Sequence, residues 1–253
     1  MIMIQFLRKY SFWALLLVFG ITSCQSYRLV KVTATQIRVD QKADPIQDQR
    51  MVALLKPYSD SVAKVANQVI GYSDQTMRVH YPEGLLSDFF ADAMLSYVQQ
   101  QYPQDSAEIA MTNVGGFRSP IYKGPVTVGK IFELMPFENA LVVLRLKGEA
   151  VQQLADSIAK YGGAVAGIRF QVVDRKRAEH VVVQGKPLQM QQIYVVVAND
   201  YIAKGNDHFD GFLHAIQSKT YPISLRRLMI DYIKQLSAEG KTIHQVLDGR
   251  IYE

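Results

Sequence analysis

The chain contains one cysteine, and its position constrains what the rest can become. Cys24 closes the stretch Ile21-Thr22-Ser23-Cys24, directly behind the uninterrupted apolar run Ser11–Ile21, which itself follows the basic pair Arg8-Lys9. A single cysteine closes no intramolecular disulfide and builds no cysteine-rich zinc site. Whatever fold follows must be held by an apolar core. With 253 residues, 49% hydrophobic and 20% charged, the chain has enough apolar surface to form one. That composition excludes wholesale disorder, a collagen-like repeat or a coiled coil as a description of the entire chain.

The apolar run is shorter than the roughly 20 residues that a bilayer-spanning helix needs, and it suits the hydrophobic core of a signal peptide. Aliphatic and small residues before a cysteine resemble a bacterial lipobox, with Cys24 the residue that is lipidated. An ordinary signal peptide or a short membrane anchor, with Cys24 incidental, is the alternative. The expectation is a lipoprotein leader over 1–23, a polar tether over 24–45 and a folded domain over 46–253, exported and lipid-anchored in the bacterial cell envelope. Gln25 behind the cysteine resembles lipoproteins sent to the outer membrane. Loss of Arg8 and Lys9 with the leader lowers the formal charge from +5 to +3. So small and scattered a surplus is a poor basis for nucleic-acid binding. The densest cluster, Arg175-Lys176-Arg177, reads as a solvated hairpin tip.

Within the expected domain, Ile46–Lys64 predicts a helix interrupted near Pro57, and Gly71-Tyr72-Ser73-Asp74 predicts a turn. Gly84–Gln101 is the clearest helix: Leu86, Phe89/Phe90, Ala93, Met94 and Tyr97 recur at three- and four-residue spacing and share a face. Glu108–Thr112 predicts a strand ending in the glycine loop Asn113-Val114-Gly115-Gly116-Phe117-Arg118. A short helix over Thr127–Leu134 and a strand over Ala140–Lys147, apolar enough to be buried on both faces, come next. Gly148–Lys160 predicts another helix. Gly167–Asp174, His180–Gln184 and Gln192–Ala198 predict strands, the last two joined as a hairpin through Gly185-Lys186-Pro187. Leu225–Leu236 is the last strong helix. Mixed helices and strands with evident hairpins define an α+β class.

Four segments stand in a fixed order: Asn113-Val114-Gly115-Gly116-Phe117-Arg118; Pro136-Phe137-Glu138-Asn139; Leu146-Lys147-Gly148; and Asn199-Asp200-Tyr201-Ile202-Ala203-Lys204-Gly205-Asn206-Asp207-His208-Phe209. With Glu83–Met94 upstream as a first helix, the set resembles the C-terminal domain of the 5'-nucleotidase family over about residues 50–250. The resemblance implies a layered α/β/β/α sandwich with mixed sheets. It also implies a role in gripping the nucleoside while a separate metallophosphoesterase domain supplies two metal ions that activate water and polarise the phosphate. The ligand motifs of that first domain (Asp-x-His near the start, Gly-Asp-x-x-Asp, His-x-His) do not occur here, and the five histidines are dispersed. Gly205-Asn206-Asp207-His208 lacks the spacing and partner carboxylates of a metal site. The implied arrangement has no metal and no catalytic residue in this chain. The divalent pair would belong to a separately encoded metallophosphoesterase chain.

By the same resemblance Arg118 contacts phosphate or ribose, for which a planar, permanently charged guanidinium is suited. The glycines before it are expected to let the backbone turn tightly. Asn113 matches a substrate-binding Asn, though a strand-closing turn residue reads equally well. Phe137 and Tyr201 match the two rings that sandwich the base; a core position is the alternative for Phe137. Asp207 matches the acid that accepts from the ribose hydroxyls, with loop solvation as the alternative, and Asn139 would touch the base edge. The chain departs from the family at His80, where an Arg is usual, at Asn206 in place of a Gly, and at Asp88 in place of a helix Asn. A left-handed Asn206 would preserve the turn. Two other functions remain compatible with the sequence: an envelope lipoprotein that captures nucleosides or nucleotides without catalysis, and a scaffold that has lost its ligand.

Overall fold

A computed structural model of the protein describes residue 31 and residues 48–253. The expected leader, Cys24 and the expected tether fall outside the described residues, residue 31 apart. The elements, in chain order, are α1 (Gln49–Ala66), β1 (Val69–Ser73), α2 (Leu85–Gln101), β2 (Ile109–Thr112), β3 (Gly124–Thr127), α3 (Val128–Leu134), β4 (Ala140–Lys147), α4 (Gly148–Tyr161), β5 (Ala164–Ala166), β6 (Ile168–Val173), β7 (Arg177–Val183), β8 (Lys186–Pro187), β9 (Ile193–Asn199), β10 (Gln217–Ser224), α5 (Leu225–Ala238) and β11 (Ile251–Tyr252), with short 3₁₀ turns between β9 and β10. Ala53–Glu253 forms one compact unit.

The centre is a five-stranded mixed sheet in the order β10-β4-β9-β2-β5. Only the β9–β2 pair is parallel; the other three pairs run antiparallel. The period-2 alternation of a strand divides its side chains between two cores. On β4, Leu141 and Val143 enter one core while Val142, Leu144 and Leu146 enter the other. On β9, Val195 and Val197 oppose Tyr194, Val196 and Ala198 in the same way. Both faces are therefore covered, which is why these strands read as nearly continuous apolar runs. Helices α2, α3 and α5 fill the first core. The second core is shared by α4 and the inward residues of a four-stranded sheet, β11-β6-β7-β8. The architecture is the layered α+β arrangement with mixed sheets expected from the sequence.

Several local expectations are corrected. Pro57 does not interrupt α1, which runs from Gln49 to Ala66. The proline removes one ladder bond, and the turn around it is braced by the Lys56–Asp60 pair at 3.0 Å and by the Ser59 hydroxyl donating to the Lys56 carbonyl at 2.9 Å. Gly71-Tyr72-Ser73 is not a turn but the end of β1, paired antiparallel with β3. The partner strand, Gly124-Pro125-Val126-Thr127, hides its identity behind a glycine and a proline. Strands β7 and β9 do not form a hairpin: Gly185 turns the chain into β8, which pairs with β7, and β9 belongs to the central sheet. The Arg175 region is a hairpin tip, with Asp174 and Arg175 at φ 53° and 50°. It is less free than a solvated tip, because the Arg175 guanidinium lies 4.1 Å from the centre of the Tyr81 ring.

Candidate functional site

The parallel pairing of β2 and β9 sends both strands out of the sheet at one edge, and antiparallel β4 enters there. Asn113 directly after β2, Asn139 directly before β4 and Asn199 at the end of β9 therefore converge, although far apart in sequence. Asp200 clamps the last two: its backbone N–H donates to the Ala140 carbonyl at 3.0 Å, and its Oδ1 accepts from the Ala140 N–H at 3.0 Å. A crevice outside the carboxyl ends of parallel strands is where ligands bind in open α/β sheets.

In that crevice lies a cleft of about 290 Å³ lined by Asn113, Gly115, Gly116, Arg118, Phe137, Asn139, Tyr201 and Asp207. All six site residues named from the sequence are among them. Phe137 is 46% exposed and Tyr201 42% exposed, so neither ring is a core residue. The Arg118 guanidinium lies 5.6 Å from the centre of the Phe137 ring, and its backbone N–H donates to the Leu134 carbonyl at 2.9 Å, which anchors the glycine loop to α3.

A hydrogen-bonded chain fixes the polar side. Buried Asn199 is fully engaged: its Oδ1 accepts from the Tyr201 and Ile202 amides at 3.0 and 2.9 Å, and its Nδ2 donates to Thr112 Oγ1 at 2.8 Å and Asn113 Oδ1 at 3.0 Å. This sets the orientation of the Asn113 amide, whose Nδ2 donates to Asp207 Oδ2 at 2.6 Å. The Tyr201 hydroxyl donates to Asp207 Oδ1 at 3.0 Å. Each carboxylate oxygen thus has one protein donor and retains acceptor capacity for a ligand hydroxyl. The hydrogen bond to Asp207 also raises the pKa of the Tyr201 phenol above its ordinary value. Asp207 sits at φ 55° and the following His208 at φ 68°, stacked on Tyr161 with ring centres 4.2 Å apart.

The turn that presents Asp207 differs from expectation. Gly205, Asp207 and His208 take the left-handed conformation; Asn206 does not, and its Nδ2 donates to the Tyr201 carbonyl at 2.8 Å. The chain does turn tightly over Val114–Phe117, the Phe117 N–H donating to the Val114 carbonyl at 3.1 Å, but neither Gly115 nor Gly116 is in the left-handed region, so the turn itself does not demand glycine. A Cβ on Gly115 would stand 3.8 Å from both Asn113 Nδ2 and Asp207 Oδ2, so the glycine keeps the polar wall of the cleft uncovered. Arg78 and His80 do not line the cleft; Arg78 lies over the Tyr122 ring at 5.7 Å, and Arg118 is the cation of the lining. Asn199 opens the last sequence motif, but sequence reasoning assigns it no role. Its signal is the Asn-Asp pair at a strand end, where a side chain can cap the turn that follows.

Asp88 lies in a different network. Among the described residues, the one group of three carboxylates close enough to face a single ion is Glu83, Asp88 and Asp248, with ligand atoms within 4.8 Å. Glu83 Oε1 already accepts from the amides of Asp248, Gly249 and Arg250 at 3.0, 3.0 and 3.3 Å. Both Asp248 oxygens accept from the Arg250 guanidinium, which also grips Asp92. An arginine already fills the place of a cation, and this donor set does not fit a two-metal phosphatase centre. Burial pushes the Asp88 pKa up to about 8; Arg250, 3.8 Å away, pulls it down, and the hydrogen bond with Glu83 raises it again. At 3.8 Å the arginine is too far to hydrogen-bond the carboxylate, so burial prevails.

The profile of the 5'-nucleotidase C-terminal domain matches residues 61–214. The chain is 29% identical over 220 residues to a trifunctional nucleotide phosphoesterase protein of Bacillus subtilis, covering 79% of this chain and 15% of that one. It is 25% identical over 218 residues to an apyrase of Anopheles gambiae, covering 79% of this chain and 38% of that one. Among solved structures, the 5'-nucleotidase precursor from Thermus thermophilus superposes with a TM-score of 0.69 and 29% identity, over 81% of this chain and 43% of that one. The chain thus spans less than half the length of each of these relatives. A match over most of the compact unit, together with the shared fold, shows that the chain belongs to the 5'-nucleotidase C-terminal domain family.

Proposed function

We propose that this protein is the nucleotide-gripping component of a nucleotidase whose metal-bearing component is a separate metallophosphoesterase chain. The observation that carries the reading is the convergence of Asn113, Arg118, Phe137, Asn139, Tyr201 and Asp207 on one open cleft. Two exposed rings offer faces for a flat base. Asp207, held by Asn113 and Tyr201, offers acceptors to a ribose diol, and Arg118 offers a charged donor to phosphate. Asn139 would meet the base edge. The names of the relatives, a nucleotide phosphoesterase and a 5'-nucleotidase, support nucleotides as the ligand class. In this reading catalysis requires a divalent metal pair held by the partner, and Cys24 carries a lipid that tethers the protein in the bacterial envelope.

Calorimetry of the chain with adenosine and with AMP tests the ligand. Both bind, and Phe137→Ala and Tyr201→Ala each weaken both by roughly ten- to a hundredfold, the loss of about 1–3 kcal/mol of stacking. Binding that neither substitution changes would overturn the proposal. Mass spectrometry of the protein recovered from membranes tests the anchor: Cys24 carries a diacylglycerol, and an unmodified Cys24 refutes that part alone.

A further inference from the structure

Arg226 is buried, with 8% of its surface exposed, and it stands in the first turn of α5, two residues after the cap Ser224. Both circumstances oppose a cation: burial strips its water, and the positive end of the helix dipole repels it. The contacts of the guanidinium offset those costs. Nη1 donates to the Met135 carbonyl at 3.1 Å, and Nη2 pairs with the Glu138 carboxylate. The guanidinium also lies over the Phe132 ring, 4.0 Å from its centre. Met135 and Glu138 are the two ends of the turn Met135-Pro136-Phe137-Glu138. The arginine fork therefore bridges the turn that carries Phe137 into the cleft. A lysine could meet one end of it; a planar fork meets both and lies on a ring as well.

The turn has little else to hold it. Among the described residues, the backbone of Pro136, Phe137 and Glu138 makes no backbone hydrogen bond. Phe137 and the core residues Phe90, Met135 and Leu225 share the walls of a hollow of about 20 Å³, so the core does not back the ring tightly. The positions on either side of the turn are fixed from elsewhere. The Leu134 carbonyl accepts from the Arg118 N–H at 2.9 Å, and the Asn139 carbonyl accepts from the Leu225 N–H at 2.8 Å. The first turn of α5 thus grips the segment at Met135, Glu138 and Asn139, twice through one side chain.

We infer that Arg226 is a positioning residue for the cleft. It does not line the cleft itself; through Met135 and Glu138 it sets the place at which the face of Phe137 meets a ligand ring. The inference rests on the proposed reading of Phe137 as a stacking face, and two measurements on the full chain keep the two apart. In the first, Trp13→Phe removes the one tryptophan of the chain, and Phe137→Trp places an indole on the turn. Fluorescence anisotropy decay then reads the local motion of that indole without any ligand. The indole is held when Arg226 is present and moves freely on the nanosecond scale after Arg226→Gln. The same decay with and without Arg226 overturns the inference. The second measurement is calorimetry with adenosine. Arg226→Gln weakens binding by roughly three- to tenfold, what ordering one loosened aromatic side chain costs. In a Phe137→Ala background the same substitution changes nothing, because no ring is left to position. A merely structural Arg226 would weaken binding equally in both backgrounds; that result overturns the inference, and so does unaltered binding by the Arg226→Gln chain. If circular dichroism shows that Arg226→Gln does not fold, Glu138→Ala, at an exposed side chain, opens the same clamp and gives the same pattern. A chain that binds no adenosine, while its indole still depends on Arg226, refutes the reading of the cleft and upholds the positioning role.

Discussion

Asp207 concentrates the chemistry of the cleft in one carboxylate. Its backbone is held in the left-handed region, its two oxygens are oriented by Asn113 and Tyr201, and it is exposed. Such an arrangement is preorganised: the acceptors are in place before a diol arrives. Tyr201→Phe keeps the ring but frees Asp207 Oδ1, so it should weaken adenosine binding by less than Tyr201→Ala; equal losses would show that the ring face contributes nothing. Arg118 separates phosphate from nucleoside. Arg118→Gln should weaken AMP by roughly tenfold, about one charge-assisted hydrogen bond, and leave adenosine unchanged in the same calorimetric comparison. An equal effect on both would assign Arg118 to the nucleoside or to the loop.

At the scale of elements, two contacts keep the cleft's supports in position. Gly148 opens α4 against the loop before β9: its N–H donates to the Gln192 carbonyl at 2.9 Å, and a Cβ there would stand 2.1 Å from the Gln189 carbonyl oxygen. Gly148→Ala should therefore destabilise the fold by at least about 1–3 kcal/mol in urea unfolding, despite the better helix propensity of alanine. The second contact is the Asp88 network that ties α2 to the segment before β11. The folded-state pKa of Asp88, about 8, lies above the ordinary aspartate value of 3.8, so the folded protein binds the proton more tightly. Between these values the native state holds a proton that the unfolded state has released, and stability falls as pH rises through that window. Asp88→Asn, which stays neutral, should match the unaltered protein near pH 4 and exceed it by at least about 1 kcal/mol at pH 8. A constant difference across that range would show that Asp88 does not titrate in it.

For the whole molecule, the central sheet gives the cleft a rigid floor, and the two-metal chemistry of the family reading has no fitting donor set among the described residues. The purified chain with Mg²⁺ or Mn²⁺ should release no phosphate from AMP, and turnover should appear on adding a metallophosphoesterase partner; metal-dependent turnover by the chain alone would contradict the two-component reading. The architecture was legible beforehand to the extent that it is local. The helical face of α2 and the apolar length of β4 are patterns within a dozen residues, and both elements stand within a residue or two of where the sequence put them. The six residues that line the cleft stand in motifs that resemble the family's, and the resemblance, not the local pattern of polar and apolar residues, is what singled them out. What escaped was relational. Edge strand β10 reads as polar because most of its length is exposed, and β3 reads as a loop because its partner is far away in sequence.

The order of apolar and polar residues determined the helices, the strands buried on both faces and the loops that bear the site, since each follows from periodicity and turn chemistry along a short stretch of chain. Tertiary structure alone decided that β7 and β9 part into different sheets, that Asn199 locks Asn113 and Tyr201 onto Asp207, and that Arg250 takes the place of an ion among three acids. The physical reason is that hydrogen bonds and charge burial depend on which groups meet in space, and those meetings join residues many tens of positions apart.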